Sequence, residues 1–373
     1  MLDFKVQLDL SKDGKQALAE DICAFANAFG GDLVIGLVSP DKRDGDTAVA
    51  RDFAPLHVDN LDAVLLGLVS SLRDSLEPQL ATLQAHPVTL KQGGHVIVLR
   101  VGPSPSAPHR VVRRSGGHFY LRNSVGKEIM DIHAIRTAFA YSDGLAERAL
   151  VFRNGRLAAF RERRSQVPVP PAPLLVVHVI PITSLTRADQ HTIEELKAAA
   201  QHLQRAQPSA NLLGRVATNF EGVICTSNWD EQGQHYAFAQ VFRDGCIEFV
   251  GQLLTVDRGE PPQPTLFPAQ HELALLQHDL PVAIQALMTL GIPAPVYLSV
   301  SLLHVHRLQV AIKTTWGVAY ATLPTHLPDV VSAPVYIEDF NVAPAVMVGS
   351  ALDALWNAVG IDHSQTNLGG TPQ

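Results

Sequence analysis

The sequence predicts an α+β protein of two domains, on three observations. Strand-like and helix-like segments recur in both halves of the 373 residues, enough chain for about two or three domains. Tight-turn signals, Lys91-Gln-Gly-Gly94, Ser115-Gly-Gly117 and Arg243-Asp-Gly245, each join two apolar runs. The stretch Gln166 to Pro173 holds four prolines in eight residues and reads as a linker.

The elements follow in order. Val6, Leu8 and Leu10 alternate, which predicts a short first strand. Ala17, Leu18, Ile22, Phe25, Ala26 and Phe29 recur at helical spacing, so Ser11 to Phe29 reads as a helix. Ser11 suits its N-cap, and Gly30-Gly31 end it. Asp32 to Val38 is a buried strand followed by the polar turn Ser39 to Asp46. Leu61 to Leu76 is a second amphipathic helix, and Val88 to Leu90 and His95 to Val101 are strands. Gly102 to Pro108 is a stiff loop, because three prolines fix φ and remove donors. Arg110 to Arg114 and His118 to Arg122 form a hairpin, Asp131 to Tyr141 a closing helix, and Leu145 to Arg164 a basic helical stretch.

The expected boundaries are therefore an N-terminal domain of mixed sheet and helices over 1–142, a basic helix and Pro-rich linker over 143–173, and a C-terminal α+β domain over 174–373. In the last, Leu174 to Ile182 is a strand, Asp189 to Ala206 a helix, and Tyr236 to Phe242 and Cys246 to Leu254 a hairpin. His271 to Leu290 is a helix interrupted at Pro281. Val296 to Ser301 and His304 to Lys313 are strands, and Leu352 to Val359 is a short helix.

The formal net charge of −7 argues against a general polyanion binder. Its distribution does not. Residues 1–99 carry net −6, residues 100–165 net +8, and residues 166–373 net −9; 12 of the 13 cations in the middle segment are arginine. Arginine favours bidentate contacts with phosphate. Arg153, Arg156, Arg161 and Arg164 recur at three to five residues and can share a helix face, either toward nucleic acid or toward acidic parts of the chain.

Other chemistry is sparse. The three cysteines, Cys23, Cys225 and Cys246, match neither a disulfide framework nor a metal spacing, which fits a reducing cytoplasm. The charged start lacks a signal-peptide core. The longest uncharged apolar stretch, Val282 to Leu303, is split by Gly291, Pro293 and Pro295, so no membrane span is expected. No P-loop, GxGxxG or GxSxG motif is present. His304-Val-His306 places two imidazoles on one face of the expected strand, half of a metal site at most.

The N-terminal segments form an ordered set. They are Leu2-Asp-Phe-Lys5, Ala24-Phe-Ala-Asn27 with Gly30-Gly31, Ile35-Gly36, Pro105-Ser-Ala-Pro-His109, and Tyr120-Leu-Arg122 before a helix. Asn27 beside the helix end can tie helix to strand. Tyr120 and Arg122 alternate with Phe119 and Leu121, which puts an aromatic ring and a guanidinium on one strand face, suited to a base and a phosphate. The set resembles the Schlafen-type AlbA-like domain over about residues 1–142, with the Pro-rich loop one residue short. No family is suggested for the C-terminal half.

The resemblance implies nucleic-acid binding. The contacts are expected from His109, Arg110, Arg113, Arg114, Tyr120, Arg122 and Lys127, within a framework that includes Asn27, Gly30, Gly31 and Gly36. In some relatives it implies metal-dependent cleavage of RNA, chiefly tRNA, by three carboxylates holding Mg²⁺ or Mn²⁺. Asp3 matches one of these acids and Lys5 the lysine beside it. The first acid has no position here, and the third falls on Ser39, with Asp41 two residues on. Asp3 and Asp41 would be the metal ligands, and Asp3, Lys5 and Asp41 the catalytic set, of a degenerate nuclease. Three readings result: a cytoplasmic binder of RNA or DNA whose C-terminal domain regulates it or assembles it into homo-oligomers, a metal-dependent ribonuclease in stress or phage defence, and a protein-interaction or ligand-sensing module.

Overall fold

A computed structural model describes residues 1–366 except 29, 39–51, 59, 81–82, 103, 105, 114–115, 124–125, 187–189 and 325. The chain forms two units, Met1–Ala146 and Glu147–Gln373. The expected α+β class holds in both, with several sheets and helices.

The N-terminal unit begins with β1 (Leu2–Lys5), α1 (Lys12–Ala26) and β2 (Gly31–Ile35). β1 and β2 run parallel, with Asp3 opposite Leu33 and Lys5 opposite Ile35. The strand expected over 6–10 is displaced to Leu2–Lys5, because there the chain finds β2 as a partner; Val6 and Leu10 are exposed and Leu8 alone packs on the core. β3 (Leu37–Val38) pairs with β4 (Asp52–Phe53). α2 (Leu61–Asp74), β5 (Leu76–Glu77), β6 (Leu83–Thr89), β7 (His95–Val101), β8 (Arg110–Arg113), β9 (Gly116–Arg122) and β10 (Lys127–Ile129) follow. They build two sheets, in the orders β1-β2-β7-β6 and β10-β9-β8-β5. Leu18, Ile22 and Phe25 of α1, Leu65, Leu68 and Leu72 of α2, and Leu33, Ile97 and Leu99 of the first sheet share one core.

A single helix, α3 (Ile132–Arg161), replaces the two helical stretches expected over 131–141 and 145–164. Two interior glycines, Gly144 and Gly155, cost about 1 kcal/mol each and do not stop it. The division between units falls inside this helix and not at the Pro-rich run.

The C-terminal unit contains the last turns of α3, β11 (Leu174–Pro181), α4 (Ile182–Thr186), α5 (Ile193–Leu203), β12 (Arg215–Thr218), β13 (Gly222–Thr226), β14 (Ala237–Phe242) and β15 (Ile247–Gln252). Next come β16 (Thr255–Arg258), β17 (Gln263–Leu266), α6 (Pro268–Ala274), a wide helical turn Leu275–Asp279, and α7 (Leu280–Thr289). β18 (Val296–Leu303), β19 (Gln309–Thr314), β20 (Gly317–Thr322), β21 (Val330–Val331), β22 (Val335–Ile337) and α8 (Pro344–Asn357) complete it. An eight-stranded antiparallel sheet runs β12-β13-β14-β15-β11-β18-β21, with β22 also on β18. A smaller sheet runs β16-β17-β19-β20.

The large sheet is covered on both faces, which is why β11 is buried along its whole length and apolar at every position but His178. Leu175, Val177 and Val179 pack with Leu196 of α5, Leu287 of α7 and Leu352 of α8. Leu174 and Val176 point the other way, onto Leu157 and Phe160 of α3. Val167 joins that second core, and the Pro168 and Pro173 carbonyls accept from the His235 and Leu253 N–H groups. The expected linker is thus part of the unit's wall. The His304/His306 reading is corrected too. β18 ends at Leu303, His304 takes φ +57°, and both histidines lie in the loop before β19.

A buried polar row crosses the α3-facing side of this sheet. Glu248 on β15 and Ser299 on β18 flank His178 on β11. Glu248 accepts two bonds from the Arg156 guanidinium, at 2.9 and 2.8 Å, and lies 3.0 Å from His178 Nε2. Glu221 takes the remaining Arg156 nitrogen at 3.1 Å. Burial alone would raise the Glu248 carboxyl; Arg156 and then His178 reverse this and bring it down to about 2. Such an acid contributes stability fully present above its ordinary value of 4.5 and lost as pH falls toward about 2. Replacing Arg156 by Ala strands a buried carboxylate and should cost about 3–5 kcal/mol in urea unfolding. Arg164→Ala, which removes an exposed pair with Glu162, should cost under about 1 kcal/mol. In Glu248→Gln, the acid-side loss between those pH values should flatten.

Candidate nucleic-acid interface and the charge network beside it

Asn27 caps the C-terminus of α1 and joins three elements. Its Nδ2 donates to the His109 carbonyl at 2.7 Å and to the Tyr120 carbonyl at 2.9 Å, and its Oδ1 accepts from the His109 N–H at 2.6 Å. Cys23, one turn earlier, donates its thiol to the same His109 carbonyl at 3.2 Å. Burial pushes that thiol up to about 12, so it works as a packed donor. Two glycines make the approach feasible. Gly30 turns the chain at φ +77°, and a Cβ on Gly31 would sit 2.5 Å from the Phe25 ring and 2.6 Å from the Met1 carbonyl. Gly36 closes β2, donating its N–H to the Lys5 carbonyl at 2.8 Å.

His109 lies wholly inside. Its ring nitrogens meet the Pro78 carbonyl and the Ser104 hydroxyl, each at 2.7 Å. Burial lowers its imidazole below the ordinary value, against the Pro78 carbonyl. Tyr120 is buried in the core with α1. Tyr120 and Arg122 do share a strand face, as the alternation predicts, but it is the inner face toward α1. The outer face carries Phe119, opposite Arg110 in the register of β8 and β9. Phe119 meets Phe139 edge-on at 6.4 Å.

On the inner side, charges of both signs converge from β1, α1, β9 and β10. Arg122 pairs with Asp3 at 3.0 Å and lies over the Phe25 ring. Lys5 reaches Asp21 at 2.7 Å, and Lys127 reaches Asp21 at 2.8 Å and Glu20 at 3.1 Å. Burial works against the Lys127 charge, but Asp21 and Glu20 outweigh it and hold the ammonium above its ordinary range. Three cations are matched by three carboxylates, so this cluster offers a polyanion no surplus charge. Glu20 and Asp21 went unmarked in the sequence. The available signal was Asp21 itself, three residues after Leu18 and four before Phe25, on the apolar stripe of α1, where a carboxylate needs a cation.

The remaining cations differ. Arg110 pairs with the exposed Glu77. Arg113 ends β8, and its side chain lies outside the described residues, as do Arg114 and Asp41. Within the C-terminal unit, Arg148 donates to the Leu185 carbonyl and Arg153 to the Ser332 carbonyl, while Arg161 pairs with Asp329.

Of the two acids that the resemblance implies as metal ligands, Asp3 is held by Arg122, and Asp41 lies outside the described residues. The positions around Asp3 and Asp21 are filled by Arg122, Lys5 and Lys127. Among the described residues, no group of three His, Cys, Asp or Glu side chains converges on a metal-sized point.

A helix, a parallel strand pair and a hairpin locked by one carboxamide define the N-terminal unit. Residues 1–131 match the family model described as Schlafen, AlbA_2, and the unit is a Schlafen AlbA-like domain. No family model matches the C-terminal half, and no curated protein matches the chain. At the level of the family, the match supports a nucleic-acid-binding or nuclease-like role. Among the described residues, no helix is long and apolar enough to cross a membrane.

Asn27→Ala strips three bonds from the clamp and should lower stability by about 2–3 kcal/mol in chemical denaturation. Asn27→Asp keeps the acceptor for the His109 N–H but sets a carboxylate against two carbonyl oxygens. It should be at least as harmful at neutral pH and partly relieved in acid.

Proposed function

We propose that the chain binds RNA or DNA through the phosphate backbone, with the β8–β9 hairpin of the N-terminal unit at the interface. The observation that carries this reading is the family match over residues 1–131, on a unit in which Asn27 fixes that hairpin to the helix and sheet beneath it. Arg110, Arg113 and Arg114 are the residues that meet phosphate. Arg110 already holds a carboxylate at the surface, and an exposed pair of this kind exchanges readily for a phosphate oxygen. Arg122, Lys5 and Lys127 act from below, holding β9 and β10 against α1 through Asp3, Glu20 and Asp21. His109 and Tyr120 serve the same framework. The C-terminal unit regulates this binding or assembles the chain into oligomers.

The ribonuclease alternative requires Asp3 and Asp41 to accept Mg²⁺ or Mn²⁺, with Arg122 displaced from Asp3. One experiment addresses both readings: tRNA, other RNA and DNA incubated with the full chain, with and without Mn²⁺, scoring retention and cleavage separately. Retention without cleavage is expected. Cleavage that depends on Mn²⁺ and is lost in Asp3→Asn would install the nuclease reading instead.

The Arg113→Glu, Arg114→Glu double variant should weaken retention and flatten the dependence of log affinity on log salt by about one unit for each phosphate no longer neutralised. Arg164→Gln, in the C-terminal unit, should leave both unchanged. Wild-type affinity and slope in the double variant would remove the hairpin from the interface.

A further inference from the structure

Where α3 ends, the C-terminal unit carries an open pocket of about 330 Å³. Small-molecule sites begin at about 300 Å³. Its apolar lining is Phe160, Pro168, Val169, Pro170 and Pro171. The exposed Arg163 and His304 line it too, with Ser165 and Gln234. No carboxylate lines it among the described residues.

Two further observations bear on these basic groups. Every other arginine of the last turns of α3 and the residues just after it is engaged: Arg148 and Arg153 by carbonyls, Arg156 by Glu221 and Glu248, Arg161 by Asp329, Arg164 by Glu162. Arg163 has no side-chain partner among the described residues, and neither does the His304 ring. The acids of the neighbouring segments, Asp329 and Glu162, are already held by Arg161 and Arg164. Arg163 and His304 also both take left-handed backbone, φ +54° and +57°, which side-chain-bearing residues adopt rarely. A backbone N–H holds each of these conformations. The Arg163 N–H donates to the Phe160 carbonyl at 3.1 Å and the His304 N–H to Asp329 Oδ1 at 2.9 Å. Two left-handed residues of separate segments thus bring basic side chains to the lining of one pocket.

We propose that this pocket binds a small organic anion, a molecule carrying a phosphate or a carboxylate on a flat apolar ring. The anion sits between the Arg163 guanidinium and the His304 ring, and the ring lies on the proline and Phe160 surface. A lining that joins prolines and a phenylalanine to an arginine and a histidine suits such a ligand, and the lack of a lining carboxylate among the described residues disfavours a cation.

Calorimetry and thermal shift on the full chain with four probes test this. They are phenyl phosphate, benzoate, inorganic phosphate and benzyl alcohol. Phenyl phosphate or benzoate should bind saturably, and the tighter of the two separates a phosphate from a carboxylate ligand. Inorganic phosphate should bind at least about tenfold more weakly than the better ring anion, and benzyl alcohol should not bind. Arg163→Asn and His304→Asn keep a residue that tolerates left-handed backbone, and each should weaken the ring anion about tenfold or more with the ligand-free melting temperature unchanged. Three results would overturn the proposal: neither ring anion binding up to about 10 mM, both variants binding as the wild type, or benzyl alcohol binding as well as the anions.

Discussion

A helix that ends against two strands must satisfy its own last turn and the strands' unpaired groups together, and Asn27 does this with one carboxamide. Two N–H groups and one carbonyl oxygen go to His109 and Tyr120, residues brought next to each other by the register of β8 and β9. The rest of the N-terminal unit is arranged so that this group can reach. Gly30 reverses the chain immediately after the helix, and Gly31 lets β2 start against Phe25. His109 turns its ring down to Pro78 and Ser104, which leaves its backbone to the asparagine. The motif residues that looked like separate features of the sequence are parts of one joint.

The same joint explains why the charge network lies beneath the hairpin and not on it. With β9 fixed to α1 at Tyr120, the side chain two residues on, Arg122, must also point at the helix. There it meets Asp3, while Lys127 on the paired strand meets Asp21 and Glu20. Half-buried cations need partners of opposite sign, and each is matched. Part of the positive charge concentrated in residues 100–165 is therefore matched within the protein: by Asp3, Glu20 and Asp21 below the hairpin in one unit, and by Glu221, Glu248 and Asp329 along α3 in the other.

These particulars separate what sequence can disclose from what it cannot. The motif set, the helix over α1 with its Ser11 cap, the hairpin and the α+β class were legible because they follow from local spacing and turn chemistry. The inner face of β9 was not. Strict alternation says that Tyr120 and Arg122 share a side, but which side is buried depends on the partner of β9, and a two-residue period is silent on that. Val6, Leu8 and Leu10 alternate as well as any strand, yet the residues that find a partner are Leu2–Lys5. The Pro-rich run is a related case. Proline fixes local geometry and removes donors, which suits a linker. It equally suits a wall, provided the carbonyls are used, and Pro168 and Pro173 use theirs.

The C-terminal unit shows how much depends on a helix that composition marks as a solvated basic stretch. Leu157 and Phe160 fill the core on one side of the large sheet, and Arg156, just before Leu157, holds the buried Glu248. An arginine with two carboxylates and an aromatic face is as much a core residue as leucine, its charge absorbed and its planar head stacked over Phe242. The last turns of α3 are consequently inseparable from β11 and β15, and a boundary drawn at the proline run would cut through this core. The helix that carries much of the basic segment thus belongs in part to each unit, which divides the +8 stretch between two structural tasks. What remains unpaired within the C-terminal unit's share is Arg163. It takes left-handed backbone in the turn that ends the helix and lines an open pocket with Phe160 and His304.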